Sequence, residues 1–252
     1  MARLVRLSRA FLVVMAGIVA GTSLYVGLIQ AGVTSSPFAP VLQGDVAAAR
    51  GDRPGTRVLF VGNSMTYYNA MPQMVQSLAA RDKGAEPLFV VSYTAPSWTL
   101  EGAAADKRLA KLIRDVHWDT VVLQENTRRA LAPKHALQQD TVPYAQDLQR
   151  RIEARGARPL LYQTWSGHSD LPTLLDMRVA RIWPALEEAR SSHPDLQLLL
   201  DDGHPNRAGS YLAACAFYAL LTGRDPGKSG YTGEIDPWDA MFLQRLAAKR
   251  FL

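Results

Sequence analysis

Short, almost uninterrupted apolar runs recur along this chain, and they constrain its fold more than any other feature. Val58-Leu59-Phe60-Val61, Val121-Val122-Leu123 and Leu198-Leu199-Leu200 contain no polar residue, so neither face of such a strand is written for water. A strand apolar on both faces needs helices above and below it. Helical patterns do separate the runs: strands are expected near residues 57–61, 87–93, 120–124, 159–164 and 196–200, and helices near 70–83, 100–116, 138–154, 171–191 and 207–221. Regular alternation of this kind predicts an α/β fold, a three-layer α/β/α sandwich around a five-stranded parallel sheet. A final amphipathic helix, 237–250, is expected to pack against the domain.

In such a sheet ligands bind beyond the carboxyl ends of the strands, so the residues that follow each apolar run matter most. The first run leads into Gly62-Asn63-Ser64. Ser64 then stands at a strand end beside a helix N-terminus, where unpaired N–H groups favour negative charge on a nucleophile or an oxyanion. The last run leads into Asp201-Asp202-Gly203-His204-Pro205-Asn206. With the spacing of Asp201 and His204, a carboxylate reaches the imidazole Nδ1 within one turn and leaves Nε2 for a serine proton. Pro205 biases His204 toward an extended backbone, and Gly203 eases the turn. Taken singly, a helix-capping serine and a solvated turn histidine read equally well; together, on one edge of a sheet, they point to nucleophilic catalysis.

Gly62-Asn63-Ser64 resembles the first conserved block of the SGNH (GDSL-like) hydrolases, and Asp201-x-x-His204-Pro205 resembles their last. Ala208-Gly209-Ser210-Tyr211-Leu212-Ala213-Ala214 is similar to the helix that follows that block. The resemblance covers roughly residues 57–223 and implies a flavodoxin-like sheet with a catalytic Ser64, His204 and Asp201. It also implies an oxyanion hole made by the Ser64 N–H, a glycine and an asparagine. The middle blocks depart from that pattern: the second reads Thr94-Ala95-Pro96-Ser97-Trp98, the third Gln124-Glu125-Asn126. Ser97 is the candidate backbone donor and Asn126 the candidate amide, with Gln124 the substitute if the register differs. Trp98, Trp165, Arg128 and Arg129 are candidates to line a cleft.

The implied activity is that of a serine esterase on an acyl ester of a small molecule or a glycan, an O-acetyl group among the options. An O-acyltransferase with the same residues is the alternative within that chemistry, and a membrane-tethered binding module that has lost turnover is the alternative outside it. No cofactor and no metal are expected: His117, His135, His168 and His193 form no paired motif, and Gly227-Lys228-Ser229 lacks the upstream glycine of a phosphate-binding loop. A Gly-x-Ser-x-Gly elbow is also missing around Ser64.

Of the formal charge of +5, Arg3, Arg6 and Arg9 belong to the first nine residues. What remains is mildly basic without a basic stripe, so nucleic acid is not an expected partner. Residues 10–29 carry no charge and follow those arginines as an apolar segment follows a cationic flank. About 20 such residues suffice to cross a bilayer. The expected organisation is a signal or anchor segment over 1–33, a spacer over 34–55 and a hydrolase domain over 56–252, with the domain outside the cytoplasm. Cys215 sits in an apolar helical run, where a thiol serves as a small buried apolar group.

Overall fold

The structure is a computed structural model that describes residues 38–164 and 167–252. The expected N-terminal segment and Trp165 lie outside the described residues. Pro40–Leu252 forms one compact unit, and among the described residues no helix is long and apolar enough to cross a membrane.

Among the described residues six strands form one sheet. In chain order they are β1 (Val41–Gln43), β2 (Thr56–Gly62), β3 (Leu88–Thr94), β4 (Thr120–Leu123), β5 (Arg158–Gln163) and β6 (Arg178–Arg181). Their order across the sheet is β1-β3-β2-β4-β5-β6. All neighbours are parallel except β1, which pairs antiparallel with β3. β2 is therefore central, its Val61 level with Tyr93 on one side and Leu123 on the other.

Successive residues of the central strands serve opposite faces, which explains why their runs are uninterrupted. Val58, Phe60, Val90 and Val122 enter one core layer, whereas Leu59, Val61, Val91 and Val121 enter the other. The first layer is covered by α3 (Met71–Arg81), α10 (Trp183–Ser192), α11 (Arg207–Thr222) and α12 (Pro237–Phe251), the second by α4 (Leu100–Ala105), α5 (Lys107–Asp115) and α8 (Val142–Glu153). Phe217 of α11 stands edge-on to Phe60 at 5.0 Å and to Tyr162 at 4.9 Å, a geometry that adds about 1 kcal/mol per pair beyond simple burial. Cys215 is fully buried beside it, and desolvation pushes its thiol well above the usual range. The remaining helices are short: α1 (Val46–Arg50), α2 (Ser64–Tyr67), α6 (Thr127–Ala130), α7 (Lys134–Asp140) and α9 (Leu171–Leu174).

The three-layer architecture is the expected one, with differences in detail. The expected strand at 196–200 does not form. Leu198 is buried, but Leu200 is half exposed, and the backbone closes on itself: Leu200 N–H donates to the His204 carbonyl at 2.8 Å and Asn206 N–H to that of Leu198 at 3.0 Å. Those bonds satisfy the polar groups that a sheet would otherwise have to pair. The outermost parallel strand is instead β6, inside the stretch expected as the helix 171–191. Its Arg178 and Arg181 are exposed and Ala180 is buried, the charged edge that discourages further pairing. The helix expected over 100–116 is split at Asp106, whose carboxylate accepts from Leu109 N–H at 2.7 Å. The one over 138–154 is interrupted at Thr141, after which Val142 and Pro143 open α8. The expected spacer over 34–55 contributes β1 and α1.

Candidate active site

β2 runs straight into the candidate nucleophile. Gly62, its last residue, is required by space: a Cβ there would stand 2.5 Å from Thr66 Oγ1 and 2.6 Å from Gln124 Oε1. Asn63 caps α2, its Oδ1 accepting from Met65 N–H at 3.1 Å. The rest of Asn63 is tied down as well, with Nδ2 donating to the Trp98 carbonyl at 2.9 Å and the backbone N–H to Gln124 Oε1 at 2.8 Å. Ser64 is thus the first residue of a helix, where the N–H has no partner within the helix, on a turn held from both neighbouring strands.

The turn 200–206 carries the second half. Gly203 adopts φ +82°, a left-handed conformation natural to glycine, and Pro205 and Asn206 lead into α11. The imidazole of His204 reaches the nucleophile, with Nε2 2.8 Å from Ser64 Oγ. Tyr68 packs against that ring, 4.4 Å between centroids.

Ser64 and His204 are thus brought together, but the carboxylate beside them is Asp202 and not Asp201. Asp202 Oδ1 accepts from His204 N–H at 3.0 Å and Oδ2 lies 2.9 Å from Nδ1, while Asp201 is exposed. The cause is local: an aspartate before glycine turns back on the N–H two residues ahead, which lands its second oxygen next to the ring. Nδ1 nevertheless lacks an aligned hydrogen-bond partner, so the contact is a close approach of the carboxylate to the ring rather than a directed bond. The Asp202 side chain is 60% exposed and that of His204 25%. The histidine's backbone N–H, and then its ring, hold the Asp202 carboxyl below the usual range.

A cleft of about 520 Å³ opens over this pair, and its walls include Ser97, Asn126 and Arg128. Ser97 has φ +55°, a left-handed conformation costly for a residue with a Cβ, and it stands where the family resemblance calls for glycine. Asn126 Oδ1 caps α6 by accepting from Arg128 N–H at 3.0 Å, and its Nδ2 donates to the Ser97 carbonyl at 3.2 Å. Gln124 does not face the cleft. It is buried, Oε1 accepts from Asn63 N–H and from Thr66 Oγ1, and Nε2 donates to the Glu125 carbonyl. Its role is to brace the nucleophile turn from β4, which removes it as an oxyanion donor. Trp98 packs edge-on to Tyr93 at 5.6 Å, and Arg129 is held by Glu101.

Two further residues join the site. Asn69 bridges the serine and histidine segments, and Glu125 lies buried behind Ser97 and Asn126; Asn69 stands outside the blocks that the resemblance marks, and Glu125 sits inside the third block at a position given no role there. The signal for Asn69 is its place in Tyr67-Tyr68-Asn69-Ala70, since asparagine tolerates the left-handed backbone found there.

The fold and site define a three-layer α/β/α protein with a serine–histidine pair at the carboxyl edge of its sheet. No protein-family model matches the chain, and no curated protein matches it. Among solved structures, it is similar to the protein YxiM from Bacillus subtilis, with a TM-score of 0.46 and 17% identity over 65% of this chain and 56% of that one. TesA gives a TM-score of 0.44 and 19% identity over 63% of this chain and 94% of that one. A gut microbial diltiazem-metabolizing enzyme gives 0.44 and 13% over 66% and 46%. The match spans about half the length of the first and third of these structures.

Proposed function

We propose that this chain is a serine hydrolase of the SGNH type that cleaves acyl esters, with Ser64 as nucleophile and His204 as general base. One observation carries the reading: Ser64 Oγ lies 2.8 Å from His204 Nε2, and both line one open cleft. In the first half-reaction Oγ attacks the ester carbonyl carbon while Nε2 takes the hydroxyl proton. The tetrahedral oxyanion is met by the N–H groups of Ser64 and Ser97 and by the Asn126 amide. Collapse breaks the bond to the leaving oxygen, and the imidazolium returns its proton to that alcohol. Water, deprotonated by Nε2, then attacks the acyl-serine carbonyl and releases the acid and free Ser64. Asp202 stabilises the imidazolium at each stage.

The cleft volume lies in the range that takes a small ligand, which is compatible with an acyl ester, an O-acetyl group among the options, on a small-molecule or glycan alcohol. We place the domain outside the cytoplasm, because Arg3, Arg6 and Arg9 precede the uncharged residues 10–29. An intact chain in the membrane fraction of an exporting host supports an anchor, and a soluble species beginning near Gly32 supports cleavage; a full-length cytoplasmic product removes the proposal.

The test of the activity is hydrolysis of p-nitrophenyl acetate by the purified full chain, beside Ser64→Ala and His204→Ala, with labelling by a fluorophosphonate. The expected result is turnover and labelling that both substitutions abolish while the fold survives. A folded chain that neither labels nor turns over favours a binding module. Labelling without hydrolysis, restored to turnover by a sugar acceptor, favours an acyltransferase.

A further inference from the structure

Glu125 follows β4 between Gln124, which braces the nucleophile turn, and Asn126, which faces the cleft. It is 4% exposed. Its Oε1 accepts from Asn126 N–H at 2.5 Å, and both carboxylate oxygens lie 3.3 Å from Leu100 N–H. Leu100 opens α4, three residues after Ser97, so one buried carboxylate ties the loop after β3 to the loop after β4. The same two loops meet again in the bond from Asn126 Nδ2 to the Ser97 carbonyl.

A carboxyl in this place is expensive to keep. Burial pushes it up to about 7, aided by Glu101, although the N–H groups of Asn126 and Leu100 and the Arg129 guanidinium pull the other way. Desolvation outweighs three favourable partners. A chain that needed only filler behind the cleft would be better served by an apolar side chain.

We propose that Glu125 is the positioning residue of the oxyanion hole, its carboxyl oxygens holding the Ser97 N–H and the Asn126 amide in register with Ser64. The assignment rests on the serine-hydrolase reading above. Glu125 lies behind the cleft wall and does not bond to substrate; it acts through the two loops. Oxyanion donors work only when already aimed at the charge that develops, and a misplacement of about 1 Å can cost about a hundredfold in rate. The loss should therefore fall on kcat and spare KM.

The experiment compares the full chain with Glu125→Gln, Asn126→Ala and the double variant on p-nitrophenyl acetate, with Ser64→Ala as the inactive reference and thermal melts as the check on folding. Glu125→Gln keeps the shape but turns an amide toward one of the two N–H groups. The expected result is a fall in kcat of about tenfold or more, KM within about twofold, and a clearly smaller fall when Asn126 is already alanine. An equal fall in both backgrounds, a change in KM alone, or no change overturns the assignment while leaving the serine hydrolase intact. If the native chain itself shows no hydrolysis that depends on Ser64, the hydrolase reading and this assignment fall together. Should Glu125→Gln melt below the assay temperature, Glu125→Asp, which keeps the charge on a shorter arm, carries the same comparison.

Discussion

The side-chain amide of Asn69 donates to the carbonyl of Pro205 at 3.0 Å and to Ser210 Oγ at 2.9 Å, fastening the segment after the nucleophile to the residue after the histidine. Asn69 does so from a left-handed backbone, φ +54°. Asn69→Gly separates the two contributions, because glycine accepts that backbone and lacks the amide. Losing two hydrogen bonds costs about 2 kcal/mol, and relief of the backbone returns about 1 kcal/mol. The melt should show a net loss of about 1 kcal/mol. Esterase kcat/KM should fall about tenfold, as expected when a base and its nucleophile lose their fixed separation; unchanged kinetics would show that Tyr68 and the 200–206 turn align His204 without help.

Gly62→Ala should be far more damaging than an added methyl suggests. The new Cβ meets Thr66 Oγ1, Gln124 Oε1 and Gln124 Cβ, all within 2.9 Å. Gln124 cannot yield, since its amide is bonded at both ends. Overpacking of this kind costs about 1–3 kcal/mol, and the displaced turn carries Ser64. Chemical denaturation should register that loss, and fluorophosphonate labelling should slow at least about tenfold.

Legibility of this fold follows burial. β2 to β5 are readable because runs such as Val58-Leu59-Phe60-Val61 are apolar on both faces, as the strands of a covered parallel sheet are. β6 is not, because an edge strand reading Arg-Val-Ala-Arg has one covered residue and no run to see. Leu198-Leu199-Leu200 misled for the opposite reason: three apolar residues look like a strand, yet their partner is the turn that follows. At the site, Ser64 and His204 were legible from their blocks. Asp202 is masked in the sequence by the spacing of Asp201, three residues before His204, although Asp202-Gly203 is the better turn former. Gln124 reads as an amide available to a ligand until its partners Asn63 and Thr66, about 60 residues earlier in the chain, are known. Contacts of that range leave no local trace.

Stability should carry a pH signature from Glu125. The folded chain holds this proton up to about pH 7, against an ordinary carboxyl value of 4.5. Between those values the folded state binds more protons than the unfolded state, so this group's contribution to stability is largest below about 4.5, declines as pH rises to about 7, and is level above. Arg129 opposes that shift and Glu101 reinforces it; Tyr162, from β5, shares a small cavity with the carboxyl and stays neutral throughout. A shift of this size corresponds to about 3 kcal/mol. Glu125→Gln removes the titration, so urea unfolding at pH 5 and pH 8 should move the difference between variant and native chain by up to that amount in favour of the variant. A difference that does not change with pH would mean that the carboxyl titrates alike in both states.

The choice between Asp201 and Asp202 has a direct kinetic consequence. Asp202 Oδ2 stands 2.9 Å from His204 Nδ1, but Nδ1 makes no aligned hydrogen bond and water reaches more than half of the carboxylate. A buried, well-directed triad aspartate is worth about 10⁴ in kcat. Exposure screens this one, so its value lies in stabilising the imidazolium and in shaping the turn through the bond to His204 N–H. Asp202→Asn should lower kcat about tenfold to a hundredfold, because the amide keeps the turn but loses the charge. Asp201→Asn should change it less than about twofold, as surface substitutions away from a site do. The assay is kcat on p-nitrophenyl acetate for both variants at two salt concentrations, where a screened ion pair makes the Asp202→Asn deficit shrink as salt rises. If Asp201→Asn is the costly substitution instead, the turn in solution places the aspartate three residues before His204 against the ring, in the register that the resemblance implies.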